Sequence, residues 1–485
     1  MTAEQKPSVH AALRATIGFT FGIRAIGLVR SLLLARLVGP GAFGLFAGIV
    51  ALTSVIGLIA ELGLTSYVVF RGGRARDDVA AVATFSLVSG LVGAAAVALL
   101  ATPIAEFYGR PDARWIALAL SGSVLIATLT AAPMGILRSE LKFADIGISQ
   151  GFGEIAALAS ALVVALLGGG IWALVTAFLV APTVALAMLW KRSGLGRPRL
   201  SAHWRETART AASYGGPVVV GTILWAVALQ GDNVVVGHNL GTTMLGLYAF
   251  AYSYGAFPGG IVGALIGPVA FPTLARIRHD LTEFHRQFVV FVRLSGLLAL
   301  PAAAAGAALA PVAIDAILGH QWSGAAHPLQ LFLAVGAFRA VFPTDQVVRA
   351  LGQTKWELIT GLVAAPATVV AALLGSIGNI FLVAALVSVV AIASSVWSVW
   401  IGARLMHVGV LQLLREPLPA CLVGLACGLA AWLAALIPAP APLQLAAGLL
   451  AAGAVYVVIL RSDRVPGAAD LKDLARSRSL SAEPT

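Results

Sequence analysis

Apolar runs of about 20 residues, separated by short stretches that gather most of the charge, recur fourteen times along this chain. The first six are expected at 12–33, 41–65, 80–102, 115–135, 146–167 and 170–190. Eight more follow at 211–233, 245–271, 288–310, 327–348, 356–375, 379–402, 415–436 and 442–460. Each run is long enough to cross a hydrocarbon layer of about 30 Å as a helix. The pattern predicts an all-α polytopic membrane protein. The N-terminal tail MTAEQKPSVH lacks the short apolar region and small-residue cleavage site of a signal peptide, so the first run is read as the first helix.

Composition gives the same class. Hydrophobic residues make up 59% of the chain and charged residues only 11%, against about 25% charged in a soluble domain. Mean hydropathy is +0.93. The 52 Gly and 23 Pro suit membrane helices better than soluble ones. Cys421 and Cys427 stand six apart in one apolar run and face different directions, which leaves no disulfide framework. The eight histidines are scattered without ligand spacing, so neither a metal nor another cofactor is expected.

Charge placement sets a topology. With both termini in the cytoplasm, 26 of the 32 Lys and Arg fall on the inner side, three on outer loops (Arg36, Arg110, Arg114) and three inside spans. That is the bias expected of cytoplasmic loops. It accounts for the net charge of +11 without a nucleic-acid partner, and it suggests anionic lipid at the cytoplasmic face. The longest basic inner loop, 191–210, is the expected linker between a six-helix lobe at 1–190 and another at 211–403. Two additional spans over 404–461 and a basic tail at 462–485 complete the chain.

The lobes carry a repeat. LVGPGAFGLFA (37–47) aligns with LGTTMLGLYA (240–249) at a constant offset of 202, pairing Gly39 with Gly241, Gly44 with Gly246, Phe46 with Tyr248 and Ala47 with Ala249. A weaker echo links GILRSELKF (135–143) to VVRALGQTKW (347–356), both expected as helix-to-loop corners. Duplicated halves of six spans each are expected to be parallel repeats with a binding site near mid-membrane. Gly39 and Gly241 are expected to turn the chain sharply, and Gly44 and Gly246 to let a helix approach its neighbour.

The run RSLLLARLVGPGAFGLFA (30–47) and the pattern D-x-x-x-x-G-x-x-L-G-x-x-x-L-G-x-Y-A, carried by Asp232, Gly237, Gly241, Gly246, Tyr248 and Ala249, resemble the polysaccharide-synthesis transporters. These are the Wzx-type flippases of the superfamily that also holds multidrug cation antiporters and peptidoglycan-precursor flippases. The resemblance runs along essentially the whole chain. It implies two six-helix lobes, alternating access and a bacterial inner membrane. It also implies a polyprenyl-pyrophosphate-linked oligosaccharide as substrate, for lipopolysaccharide or exopolysaccharide synthesis, with a polysaccharide polymerase and a chain-length regulator as partners.

Such a cargo needs a wet, cationic path for its head group, and ionisable residues inside spans are costly unless they face one or pair with one another. This chain has few. Arg24 lies in the first span with Thr20, Gly27 and Ser31 near it at helical spacing. Arg339 sits mid-span in the other half. A guanidinium grips phosphate oxygens with a planar fork and stays charged when buried, so Arg24 and Arg339 are the expected head-group ligands. Arg30 either joins them or snorkels to the outer interface. Glu61, Glu154, Gln230, Asp232 and Asn233 form the expected coupling or polar network, with Glu61 a candidate protonation switch. The plainer alternative is that the arginines neutralise Glu61, Glu154 or Asp232. Asp345 and Arg349 have the spacing to pair with each other. Tyr248, Tyr252, Tyr254 and Trp225 suit either sugar stacking or an aromatic belt.

Two other classes compete. An enzyme acting on lipid-linked sugars needs an acid/base pair in a sizeable extramembrane region, and the acid-bearing outer stretch EFYGRPDAR (106–114) is small and balanced in charge. A cation-coupled antiporter wants deep acidic residues, whereas the deep charges here are at least as basic as acidic. A peptidoglycan-precursor flippase is chemically closer to the expected function.

Overall fold

The computed structural model describes residues 22, 26–61, 63–70, 76–140, 142–195, 209, 226, 230–462 and 465–467. Among these residues the regular structure is helical throughout, with a single 3-10 turn at His320–Ala325. Twelve helical stretches are long and apolar enough to cross a membrane, from Pro40–Glu61 to Ala441–Arg461. They correspond one to one with twelve of the fourteen expected spans. The other two, 12–33 and 211–233, fall mainly outside the described residues, although helix is present at 26–38 and 230–239.

Several elements differ in detail from simple 20-residue rods. Leu281–Ile317 is a single 37-residue helix, about 55 Å at 1.5 Å per residue, and so longer than the hydrocarbon layer. It starts sharply because the Asp280 side chain accepts hydrogen bonds from the Thr282 and Glu283 amides. The expected span 327–348 is broken: Ala326–Val341 ends at Phe342, and Thr344–Ala350 begins beyond Pro343. Proline disfavours helical backbone in the residue before it, and Phe342 is correspondingly extended. Both expected corners are present, Ala131–Ser139 turning into Phe143–Leu166 and Thr344–Ala350 into Lys355–Gly375.

The chain forms two compact units, Met1–Gly246 and Leu247–Thr485. In the first, Phe143–Leu166 packs along Trp172–Arg192, and Arg76–Phe107 along Asp112–Leu129. A core at the 157–177 level joins Ala157, Ala161, Ala173 and Ala177 to Leu34 of the 26–38 stretch. In the second, Leu281–Ile317 is the centre. Leu297, Ala305 and Leu309 pack against Ala420, Val423, Cys427 and Ala431 of Leu418–Ala435, and against Ala452 of Ala441–Arg461. The two C-terminal helices are thus docked on this long helix, and Tyr456 Oη donates to the Leu297 carbonyl at 3.0 Å.

The repeat motif has a direct structural expression inside the first unit. Gly39 and Gly241 both adopt left-handed backbone, with φ of 81° and 86°, a conformation that favours glycine. Five residues on, the two copies cross. A β-carbon on Gly44 would lie 1.8 Å from the Thr242 carbonyl oxygen, and one on Gly246 would lie 1.9 Å from the Pro40 carbonyl oxygen. Pro40 and Thr242 are themselves related by the offset of 202, so the contact is reciprocal. The two copies of the motif thus pack directly on each other.

Candidate functional site

Arg30, in the helical stretch 26–38, places its guanidinium against Glu154 of Phe143–Leu166, with Nη2 3.1 Å from Oε2. Glu154 is near the middle of its 24-residue helix, about 17 Å from either end at 1.5 Å per residue. Arg30 is nine residues before the turn at Gly39, about 13 Å along its own helix. Gly27 lies beside the carboxylate, where a β-carbon would make ordinary contact with Oε2 at 3.6 Å. Arg30 is thus held by an acid near the middle of a neighbouring helix.

The pair is only lightly tied. Glu154 Oε2 and Arg30 Nε are both buried without a hydrogen-bond partner, so the contact is an ion pair through one nitrogen, short of the two-pronged fork. Side-chain exposure is 19% for Arg30 and 20% for Glu154, which means the charges are partly desolvated. The Nε position of the guanidinium is thus left unfilled. Arg24, the expected partner one and a half turns earlier, lies outside the described residues.

A second polar group sits in the same unit. Asp232 is fully buried and Asn233 nearly so. The Asn233 amide donates to Asp232 Oδ1 at 2.9 Å, and Asn233 Nδ2 donates to Gln230 Oε1 at 2.8 Å. Asn233 Oδ1 is left buried without a partner. One turn on, Gly237 and Gly48 flank the ring of Tyr108, and His238 stacks on Phe107 with centroids 4.4 Å apart. Sequence spacing gave no sign of Tyr108 or His238, because both contacts join segments over a hundred residues apart.

Glu61 has a local job. It ends Pro40–Glu61, and its Oε1 accepts from Thr65 Oγ1 at 2.7 Å and from the Thr65 amide at 3.3 Å. The carboxylate thus satisfies an otherwise unbonded amide in the first turn of Leu64–Phe70.

In the second unit Arg339 lies in the last turn of Ala326–Val341, two residues before its end, and is exposed on that unit. No carboxylate among the described residues pairs with it. Asp345 and Arg349, the expected pair, stand 3.8 Å apart, and Arg349 Nε donates to Glu357 at 2.8 Å. The tyrosines differ in burial. Tyr248 is wholly buried, edge-on to Phe332 at 5.4 Å, and Tyr252 meets the same ring at 5.2 Å. Tyr248 is thus a core residue of the second unit, Tyr252 is half-buried beside the same Phe332 ring, and Trp225 lies outside the described residues. In the stretch 106–114, Arg110 binds both carboxylate oxygens of Asp112, at 3.0 and 2.7 Å.

The polysaccharide biosynthesis protein profile matches residues 33–327, more than half of the chain and including both copies of the glycine motif. The chain belongs to this family. This polysaccharide biosynthesis protein is 24% identical over 472 residues to the succinoglycan biosynthesis transport protein ExoT of Rhizobium meliloti, a match covering 96% of this chain and 94% of ExoT. Over a shorter segment of 123 residues, 25% of the chain and 26% of the relative, it is 24% identical to the teichuronic acid biosynthesis protein TuaB of Bacillus subtilis. Among solved structures, the lipid II flippase MurJ superposes with a TM-score of 0.72 at 15% identity, covering 92% of this chain and 99% of MurJ. An inward-facing multidrug resistance MATE family transporter of the MOP superfamily gives 0.56 at 16% identity, covering 84% of this chain and 97% of the other. At those identities the likeness is one of fold. The family member is a multi-pass helical membrane protein with that fold.

Proposed function

We propose that this protein flips a polyprenyl-pyrophosphate-linked oligosaccharide across the bacterial inner membrane by alternating access, for surface-polysaccharide synthesis. The observation that carries the reading is Arg30, beside the middle of Phe143–Leu166, bound to Glu154 through one nitrogen with its Nε unfilled. A guanidinium held there by a single carboxylate contact can exchange that contact for a phosphate oxygen without ever entering hydrocarbon uncompensated. Glu154 then acts as a resident substitute for the phosphate. Arg339, exposed and without a carboxylate, is the proposed head-group contact of the second unit, and Arg24 the proposed companion of Arg30. Membership of a polysaccharide biosynthesis family and similarity to a succinoglycan transport protein supply the class of cargo.

The test is genetic and chemical together. Deleting the gene should abolish the surface glycan and leave lipid-linked repeat units on the cytoplasmic face, inaccessible to a glycosidase added outside spheroplasts. Restoring the gene should bring both back. Lipid-linked units that reach the outer face at the normal rate without the protein would rule the reading out.

Orientation is the second part of the proposal: both termini and the loop 191–210 inside, the Gly39 and Gly241 turns outside. Single cysteines replacing Leu200 and Leu240, in a background lacking Cys421 and Cys427, should react with an impermeant maleimide from the cytoplasmic and outer sides respectively. The opposite labelling would invert the map.

A further inference from the structure

Five side chains form a continuous train on two neighbouring helices of the second unit, Lys355–Gly375 and Ile380–Leu405. Lys355 Nζ lies 5.8 Å from the ring centroid of Trp356, and Trp356 meets Trp397 edge-on at 6.4 Å. Trp397 stacks on Trp400 at 4.9 Å with 20° between the planes, and the Arg404 guanidinium covers Trp400 at 4.6 Å. Residues 397, 400 and 404 are spaced three and four apart, which puts them on one helix face. A cation thus closes each end of a three-tryptophan ladder.

Neither cation has an acid of its own among the described residues. The carboxylate nearest in sequence to Lys355, Glu357, is taken by Arg349, which also pairs with Asp345. Beyond the ladder both helices turn apolar residues outward: Leu358, Leu362 and Val363 on one, Val389, Ile392 and Val396 on the other. Apolar surface leading into tryptophan and ending in unpaired cations follows the profile of a lipid from acyl chain to head group.

We propose that this face gathers anionic phospholipid, with a phosphate at each end of the ladder, at Lys355 and at Arg404, and acyl chains along the two helices. A zwitterionic lipid carries its own ammonium beside the phosphate and has no net charge, so it compensates either cation less well than an anionic lipid does. The rings also restrict the cations beforehand, and less side-chain freedom is lost on binding than at an ordinary surface lysine or arginine. The proposed lipid contacts use none of the residues assigned above to the cargo.

The purified full-length protein is incubated in detergent with equal amounts of phosphatidylglycerol and phosphatidylcholine, and the retained lipid is counted by native mass spectrometry. Wild type should retain phosphatidylglycerol in preference. Lys355→Gln and Arg404→Gln should each reduce that preference roughly five-fold, and the double variant more. Arg278→Gln, an exposed cation elsewhere, should leave it unchanged. Equal retention of the two lipids by wild type overturns the proposal, as does a double variant with undiminished preference or an equal loss in Arg278→Gln. Millimolar inorganic phosphate should not displace the lipid; displacement would mean a bare phosphate site and would overturn the lipid assignment.

Discussion

Replacing Arg30 and Glu154 together by glutamine is expected to leave the protein folded in the membrane while surface-glycan production falls about ten- to a hundred-fold. The double change is the informative one. Removing Arg30 alone strands a carboxylate at mid-membrane, and breaking a buried pair costs about 3–5 kcal/mol, so Arg30→Gln should lower the amount of folded protein. Removing both charges avoids that penalty, and neutral replacement of a buried pair is often close to free. What the double variant loses is the phosphate contact, worth about 1.5–3 kcal/mol for a hydrogen bond to a charged group. Arg30→Lys over an intact Glu154 should recover only part of the transport, because an ammonium keeps the charge without the fork. Glu154→Gln alone strands the guanidinium in the same way and should also lower the amount of folded protein. Glycan is measured in a deletion strain and normalised to folded membrane protein. A double variant with full transport would reduce the pair to a structural counter-ion arrangement. By the same measurement, Arg339→Ala should lower transport roughly ten-fold at normal expression.

The other large effect is structural. Gly44→Ala and Gly246→Ala should each remove most of the folded protein, because the new methyl would meet a backbone carbonyl at 1.8 and 1.9 Å. A backbone cannot swing aside as a flexible side chain does, and forced overpacking costs about 1–3 kcal/mol or more even where side chains give way. The two changes should be strongly non-additive. Once one methyl has pushed the segments apart, the second finds the space already made. Gly57→Ala, with nothing within 4 Å of its β-carbon, should behave as wild type. Monodisperse yield after detergent extraction reads all four proteins, and wild-type yield from Gly44→Ala would contradict the crossing.

Much of the fold was legible because lipid imposes a simple rule: a buried backbone must close its own hydrogen bonds, so long apolar runs become helices. The Phe342–Pro343 break was signalled only by a proline, and the 37-residue length of Leu281–Ile317 was masked by polar residues in its first turns. The glycine motif was readable because a duplicated pattern carries its own internal comparison. The site was less legible. Hydropathy marks Arg30 and Glu154 as out of place in their spans, but which acid meets which base depends on how helices 124 residues apart in sequence pack. Nothing in the local pattern encodes that. Glu61 shows the same limit: a carboxylate at a helix end can tie down the next amide, and the bond to Thr65 that does so is visible only in the fold. Tyr248 carried the hydrophobic weight of a core residue and the hydroxyl of an interfacial one, and its contact with Phe332 decided between them.

The crossing at Gly44 and Gly246 has the form of a two-fold homodimer contact, in which residue i of one copy meets residue j of the other and the reverse. Such a patch is self-complementary before any duplication takes place. A single half-length chain bearing it could associate with another copy of itself, and joining the two copies end to end would turn that association into an intramolecular one at high effective concentration. After fusion the flanks are free to drift, as Pro40 opposite Thr242 illustrates. The glycines are not, since each copy's backbone is the obstacle that the other must clear.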